Sequence, residues 1–185
     1  MGQTGRMTRY IALLRGINVG GINITMAALA DTVRSLGHTG VTTVLASGNV
    51  VFDSDQTDAA AVKAGLERAL SDAFDYEAWV VLLTRQDLVA AVDAYPFDDL
   101  DGWHSYVMFG SDPVMLDDLL TAAPTLNPDD ERVQRGAGVL YWQVRREVGI
   151  KSPFSALSAK PKYKSSTTNR NLRTLHKILT ASTER

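Results

Sequence analysis

Arg15, Asn18, Gly20 and Gly21 stand together in the stretch "LLRGINVGGINITM", and Ser47, Gly48 and Asn49 form a second polar turn further along the chain. A guanidinium offers two parallel donors to a phosphate or carboxylate, carboxamides both donate and accept, and glycine lets backbone N–H groups come close to a ligand. If the two stretches meet, these seven residues could grip one small anion. They also have a plainer use, since glycine turns follow many strands and Arg15 could simply cap a carbonyl or pair with an acid. The stretch "GINVGG" matches neither G-x-G-x-x-G nor a P-loop, which would carry Lys-Ser or Lys-Thr next.

Other reactive side chains are isolated. His38, His104 and His176 have no second ligand three or four residues away, so no metal site is expected. The acidic runs Asp98–Asp101 and Asp129–Glu131 read as hydrated turns, and no G-x-S-x-G elbow activates a serine. No base or nucleophile with a partner can be named. Whether the protein is an enzyme therefore stays open, and no cofactor is implied.

The elements that would position these residues follow from apolar spacing. Tyr10 to Leu14 is apolar on both faces, as in a strand covered on each side. Thr25 reads as the N-cap of a helix bearing Met26, Leu29, Val33 and Leu36, ended by Gly37. Strands at Val41–Ala46 and Val50–Phe52 flank the "SGN" turn, a helix covers about 58–73, and a strand Ala78–Leu83 completes β-α-β-β-α-β.

The second half repeats the idea more loosely. Thr84 with Asp87 resembles a capping box opening a helix to Ala94, and Trp103–Phe109 reads as a strand, with Trp103, Tyr106 and Trp142 as strand core. Asp112-Pro113 starts a helix, Glu131–Arg135 and Val139–Val144 form a hairpin, and Ser152-Pro153 opens a short helix. A last helix is expected over Asn169–Ala181, with Leu172, Leu175, Ile178 and Leu179 on one stripe. The fold class is α+β: two ferredoxin-like units packed as one compact body, at 9–84 and 85–185. Residues 1–8 read as a disordered tail or expression remnant, with Met7 an alternative start.

Topology then brings the two polar stretches together. In such a unit the first and second strands run the same way and the third returns between them. The loop after strand one and the turn after strand two therefore share one end of the sheet, with neighbouring strands about 4.8 Å apart.

Three segments, "YIALLRGINVGG" followed by a helix from Met26, "SGNVVF" at Ser47–Phe52, and "RNLRTLHKIL" at Arg170–Leu179, resemble the bacterial family catalogued as domain of unknown function 1697. The similarity runs from Tyr10 nearly to the C-terminus, and Arg170, Asn171 and Thr174 match the family's third motif. The resemblance implies two ferredoxin-like units in one compact protein. It implies no activity.

Composition limits the remaining choices. The chain has 185 residues, 45% of them hydrophobic, enough for one full core or two small ones. It has no cysteine, which excludes disulfides and thiolate metal sites and fits a reducing compartment, so the cytoplasm is expected. Its longest apolar runs are far too short to cross a membrane. The net charge of −2 hides an asymmetry: residues 145–177 carry nine Lys and Arg against the one acid Glu147. Arg170 and Arg173, read in the first turns of the last helix, lie where the helix dipole disfavours cations and an anion would compensate.

Three functions are open to such a chain. The first is binding of a small phosphorylated or otherwise anionic ligand, a nucleotide among the candidates, at Arg15, Asn18 and "SGN", with Arg170, Asn171 and Thr174 closing over it. The second is a nucleic-acid-associated module that runs 145–177 along a phosphate backbone, although only Tyr163 interleaves its lysines as a stacking group. The third is a scaffold whose sheet faces or edges meet another protein. The oligomeric state is open.

Overall fold

The computed structural model describes residues 7–18 and 22–183. It divides into two units: Val89–Leu175 is the second, and the rest of the described chain is the first.

In the first unit the order is β1 (Thr8–Leu14), α1 (Met26–Ser35), β2 (Thr39–Thr43), β3 (Asn49–Ser54), α2 (Ala59–Phe74) and β4 (Val80–Thr84). The sheet order is β2-β3-β1-β4, with every neighbour antiparallel. This is the ferredoxin-like arrangement that the element order predicts. Tyr10, Ala12 and Leu14 point to a core shared with Leu29 and Val33 of α1 and Val62, Leu66 and Leu70 of α2. Ile11 and Leu13, on the opposite face of β1, are buried as well. The run Tyr10–Leu14 is apolar throughout because neither face meets water.

The helices begin where capping side chains take up their free N–H groups. Thr25 Oγ1 accepts from Ala28 N at 3.1 Å, and Asp58 Oδ1 accepts from Ala60 N at 3.0 Å and Ala61 N at 3.2 Å. β2 ends earlier than its apolar spacing suggests. After Thr43 the chain turns, with Leu45 in the left-handed region at φ 59°, and residues 44–47 belong to the corner rather than to the ladder.

The second unit takes in the end of α3 (Arg85–Asp93), then β5 (Trp103–Gly110), α4 (Pro113–Ala122), β6 (Glu131–Arg135) and β7 (Val139–Arg145). A 3₁₀ turn at Gly149–Lys151 and the short helices α5 (Pro153–Ser158) and α6 (Pro161–Lys164) lead to β8 (Thr167–Asn171) and α7 (Leu172–Thr183). The sheet order β6-β7-β5-β8 repeats that of the first unit. Met108, Leu116, Leu119, Leu140, Trp142, Val144 and Phe154 form its core. The capping box ahead of α3 is present: Thr84 N donates to Asp87 Oδ2 at 2.9 Å, and Asp87 N donates to Thr84 Oγ1 at 3.1 Å.

One expected element is corrected. Residues 169–171 are not the start of the last helix but the end of β8, which pairs with β5 from Thr167 opposite Gly110 to Asn171 opposite Tyr106. The polar segment "TTNRN" satisfies its backbone against the edge of β5, and this supplies the fourth strand of the unit. α7 starts only at Leu172, where Asn171 Oδ1 accepts from Arg173 N at 2.9 Å, and it buries Leu175 and Ile178 as its spacing predicts.

Candidate functional site

The two polar stretches of the first unit meet. At the end of β1, Leu14 N donates to Gly48 O at 2.8 Å and Arg15 N donates to Trp79 O at 3.1 Å, so the loops beside β3 and β4 are both fastened to the same rim. Asn18, left-handed at φ 56°, ties the first stretch to the second. Its Nδ2 donates to Ala46 O at 2.7 Å and to Ile24 O at 3.2 Å, and its Oδ1 accepts from Ile24 N at 2.9 Å. Asn49 is fully buried, and its Nδ2 donates to Val44 O at 2.7 Å and Ser47 Oγ at 2.9 Å. Both carboxamides thus close the corner on itself. Arg15 is half-buried and Ser47 exposed at this rim, while Gly20 and Gly21 lie outside the described residues.

Gly48 is required here for two reasons. Its φ is +81°, and a Cβ there would stand 2.6 Å from Ile17 Cδ1 and 3.0 Å from Leu14 Cβ. Gly48→Ala is therefore expected to cost roughly 1–3 kcal/mol of stability, read as a lowered urea midpoint with an unchanged slope. A variant as stable as the parent would mean that the corner does not hold this geometry.

Sequence reasoning missed the cations' platform. Trp79, half-buried just before β4, has Arg15 Cζ 5.6 Å from its ring centroid and Lys63 Nζ, from the first half of α2, also at 5.6 Å. Both lie within cation–π range. Lys63 pairs with Glu67 one turn on, and Glu67 Oε1 also accepts from Val80 N at 3.0 Å. The only sign in the sequence was the Lys-x-x-x-Glu spacing and a tryptophan at a strand's start. Chemically, the rim places two cations of different origin, a carboxylate and an indole beside a corner built on glycine.

The other candidates, Arg170, Asn171 and Thr174, belong to the second unit. Arg170 sits in β8 opposite Val107, only 6% exposed, and its Nη1 donates to Thr168 Oγ1 at 2.8 Å and Asn169 O at 2.9 Å. Burial pushes its guanidinium down to about 10, still charged at neutral pH. Arg170 therefore does not stand in the first turn of a helix, and the dipole argument for an anion fails for it, whereas Arg173 is exposed in the first turn of α7. Asn171 caps α7, and Thr174 is half-buried on it.

The basic segment is partly neutralised. Lys162 pairs with Asp118 at 2.6 Å, and Arg145 pairs with Glu147 at 2.9 Å and Asp130 at 3.7 Å, whereas Arg146, Lys151 and Lys160 are exposed. His38 lies against Phe52 with ring centroids 4.7 Å apart, and burial holds its pKa below the usual histidine range. Among the described residues no group of three or more His, Asp or Glu side chains could hold a metal ion. Among the same residues no helix is long and apolar enough to cross a membrane.

A family model described as "Protein of unknown function (DUF1697)" matches residues 7–141. Among solved structures, a conserved bacterial protein, SP0830, from Streptococcus pneumoniae aligns with a TM-score of 0.79 at 28% identity, covering 96% of this chain and 99% of that one. An unknown protein from Galdieria sulphuraria is also matched, at 9% identity and a TM-score of 0.29 over 96% of this chain and 90% of that one. No curated protein matches the sequence.

Proposed function

This chain belongs to the DUF1697 family of proteins of unknown function, and we propose from its own chemistry that it binds a small anionic ligand, a phosphorylated compound or nucleotide, at the end of the first sheet. The observation that carries this reading is the fastening of the Arg15 loop and the Gly48 corner to one rim, by Leu14 N to Gly48 O at 2.8 Å and Asn18 Nδ2 to Ala46 O at 2.7 Å. With both carboxamides engaged in the corner, Asn18 and Asn49 serve as its frame, and Arg15 is the group that meets the anion. The cysteine-free sequence supports the cytoplasm as the place of action.

A phosphate-backbone reading draws on Arg146, Lys151, Lys160, Arg173 and Lys177, which are exposed. It has fewer cations to work with than the sequence promised, because Arg170 is buried and Lys162 and Arg145 face acids. The anion reading is favoured for that reason.

A thermal-shift panel of nucleotides, sugar phosphates and simple carboxylates tests it. At least one compound is expected to raise the melting temperature in a concentration-dependent way, and Arg15→Gln is expected to remove that rise while the apo protein still melts cooperatively. A panel without a single shift, or a shift that survives Arg15→Gln, would overturn the reading.

A further inference from the structure

The indole of Trp79 is shared by two cations from different elements, and this extends the reading above, on which it rests. Arg15 comes from the end of β1 and Lys63 from α2, each 5.6 Å from the ring centroid. Glu67, one helical turn on, pairs with Lys63 and supplies the counter-charge to the second of these cations. The Lys63–Glu67 pair is only partly buried, its side chains 33% and 25% exposed, and lysine precedes glutamate, the less favourable order one helical turn apart. Glu67 also has a second partner in Val80 N, at 3.0 Å. If Lys63 left, the carboxylate would keep a donor and its access to water.

We propose that Lys63 is the second cationic arm of the rim, exchanging Glu67 for the ligand, and that the group held between Lys63 and Arg15 is a phosphate dianion, free or as a monoester. The guanidinium fork alone satisfies a carboxylate, which has two oxygens and one charge. A second cation with its own anchor suits a head with two charges and at least three terminal oxygens. The indole restrains both side chains, so binding orders them at a smaller cost in conformational freedom.

The test is a titration of the whole chain with sodium phosphate, phenyl phosphate and acetate at constant ionic strength. The readout is the indole N–H cross-peak of Trp79 in ¹H–¹⁵N spectra, assigned with Trp79→Phe. One of the phosphates is expected to saturate the shift where acetate does not, and whichever binds tighter tells free phosphate from ester. Lys63→Met is expected to weaken that phosphate by roughly tenfold, and Glu67→Gln to tighten it severalfold by releasing Lys63. Equal affinity in Lys63→Met and the parent, with Arg15→Gln still abolishing binding, would overturn the role of Lys63 and leave the rim reading standing. Acetate binding as tightly as phosphate would overturn the ligand class alone. Silence from every anion would remove both.

Discussion

Phe52→Ala is expected to lower the stability of the protein by about 3–5 kcal/mol, the range for emptying a large, fully buried aromatic site. Phe52 has no exposed surface and belongs to the core of the first unit. It stands directly opposite Tyr10 in the β1–β3 register, with ring centroids 5.9 Å apart, and the His38 ring lies 4.7 Å away on another side. Three elements therefore lose contacts at once: β1, β3 and the segment between α1 and β2. Because a sheet and two helices surround the site, the cavity collapses poorly, and the cost falls well above the transfer energy of the ring alone. Phe52→Leu, which refills most of the volume, is expected to cost about 1–2 kcal/mol. Urea unfolding of the two variants checks both values. A loss below about 1 kcal/mol in Phe52→Ala would mean that the aromatic core does not hold β3 in register.

The meeting of the two polar stretches was legible because it depends on topology, which periodicity and turn residues reveal. Tyr10–Leu14 could only be a strand buried on both faces, and Thr25 and Asp58 cap the two helices that cover one of them. Once the order β-α-β-β-α-β is set, the antiparallel return of β3 beside β1 follows, and Leu14 N finds Gly48 O. What polarity could not tell was the direction of each side chain. Asn18 and Asn49 look alike in sequence whether their amides face a ligand or close a turn, and here those amides bond to the corner's own carbonyls.

β8 escaped for a different reason. "TTNRN" has no alternation of apolar and polar residues, and its pairing comes from β5, 57 positions away from Thr167 at Gly110. A cation such as Arg170 is ordinarily read as solvent-facing, yet a strand next to β5 buries it, with Thr168 Oγ1 and Asn169 O as acceptors. Trp79 and Lys63 were hidden in the same way. Lys63 lies 48 positions beyond Arg15 and Trp79 another 16 beyond that, and only the folded first unit brings both cations to one ring.

Glu131→Ala should be nearly as damaging as the loss of Phe52, at about 2–4 kcal/mol, although Glu131 is a charged residue at the first position of a strand. Only 1% of it is exposed. Its Oε2 accepts from Trp142 Nε1 at 3.1 Å, and its Oε1 accepts from Phe154 N at 3.0 Å, at the start of α5. One carboxylate thus joins the indole of β7 to the first turn of a helix that Pro153 opens and Ser152 caps. Alanine would strand an indole N–H and an amide N–H inside the core, each costing about 1–3 kcal/mol when buried without an acceptor. Glutamine is not a safe replacement. Its carbonyl can serve one donor, but its NH₂ group then faces the other N–H, so Glu131→Gln is expected to lose roughly 1–2 kcal/mol. Urea unfolding, with the near-ultraviolet circular dichroism of the folded state as a monitor of Trp142 packing, distinguishes the two. Both variants within about 0.5 kcal/mol of the parent would mean that β7 and α5 hold together without this carboxylate, and that packing by Phe154 and Leu157 suffices.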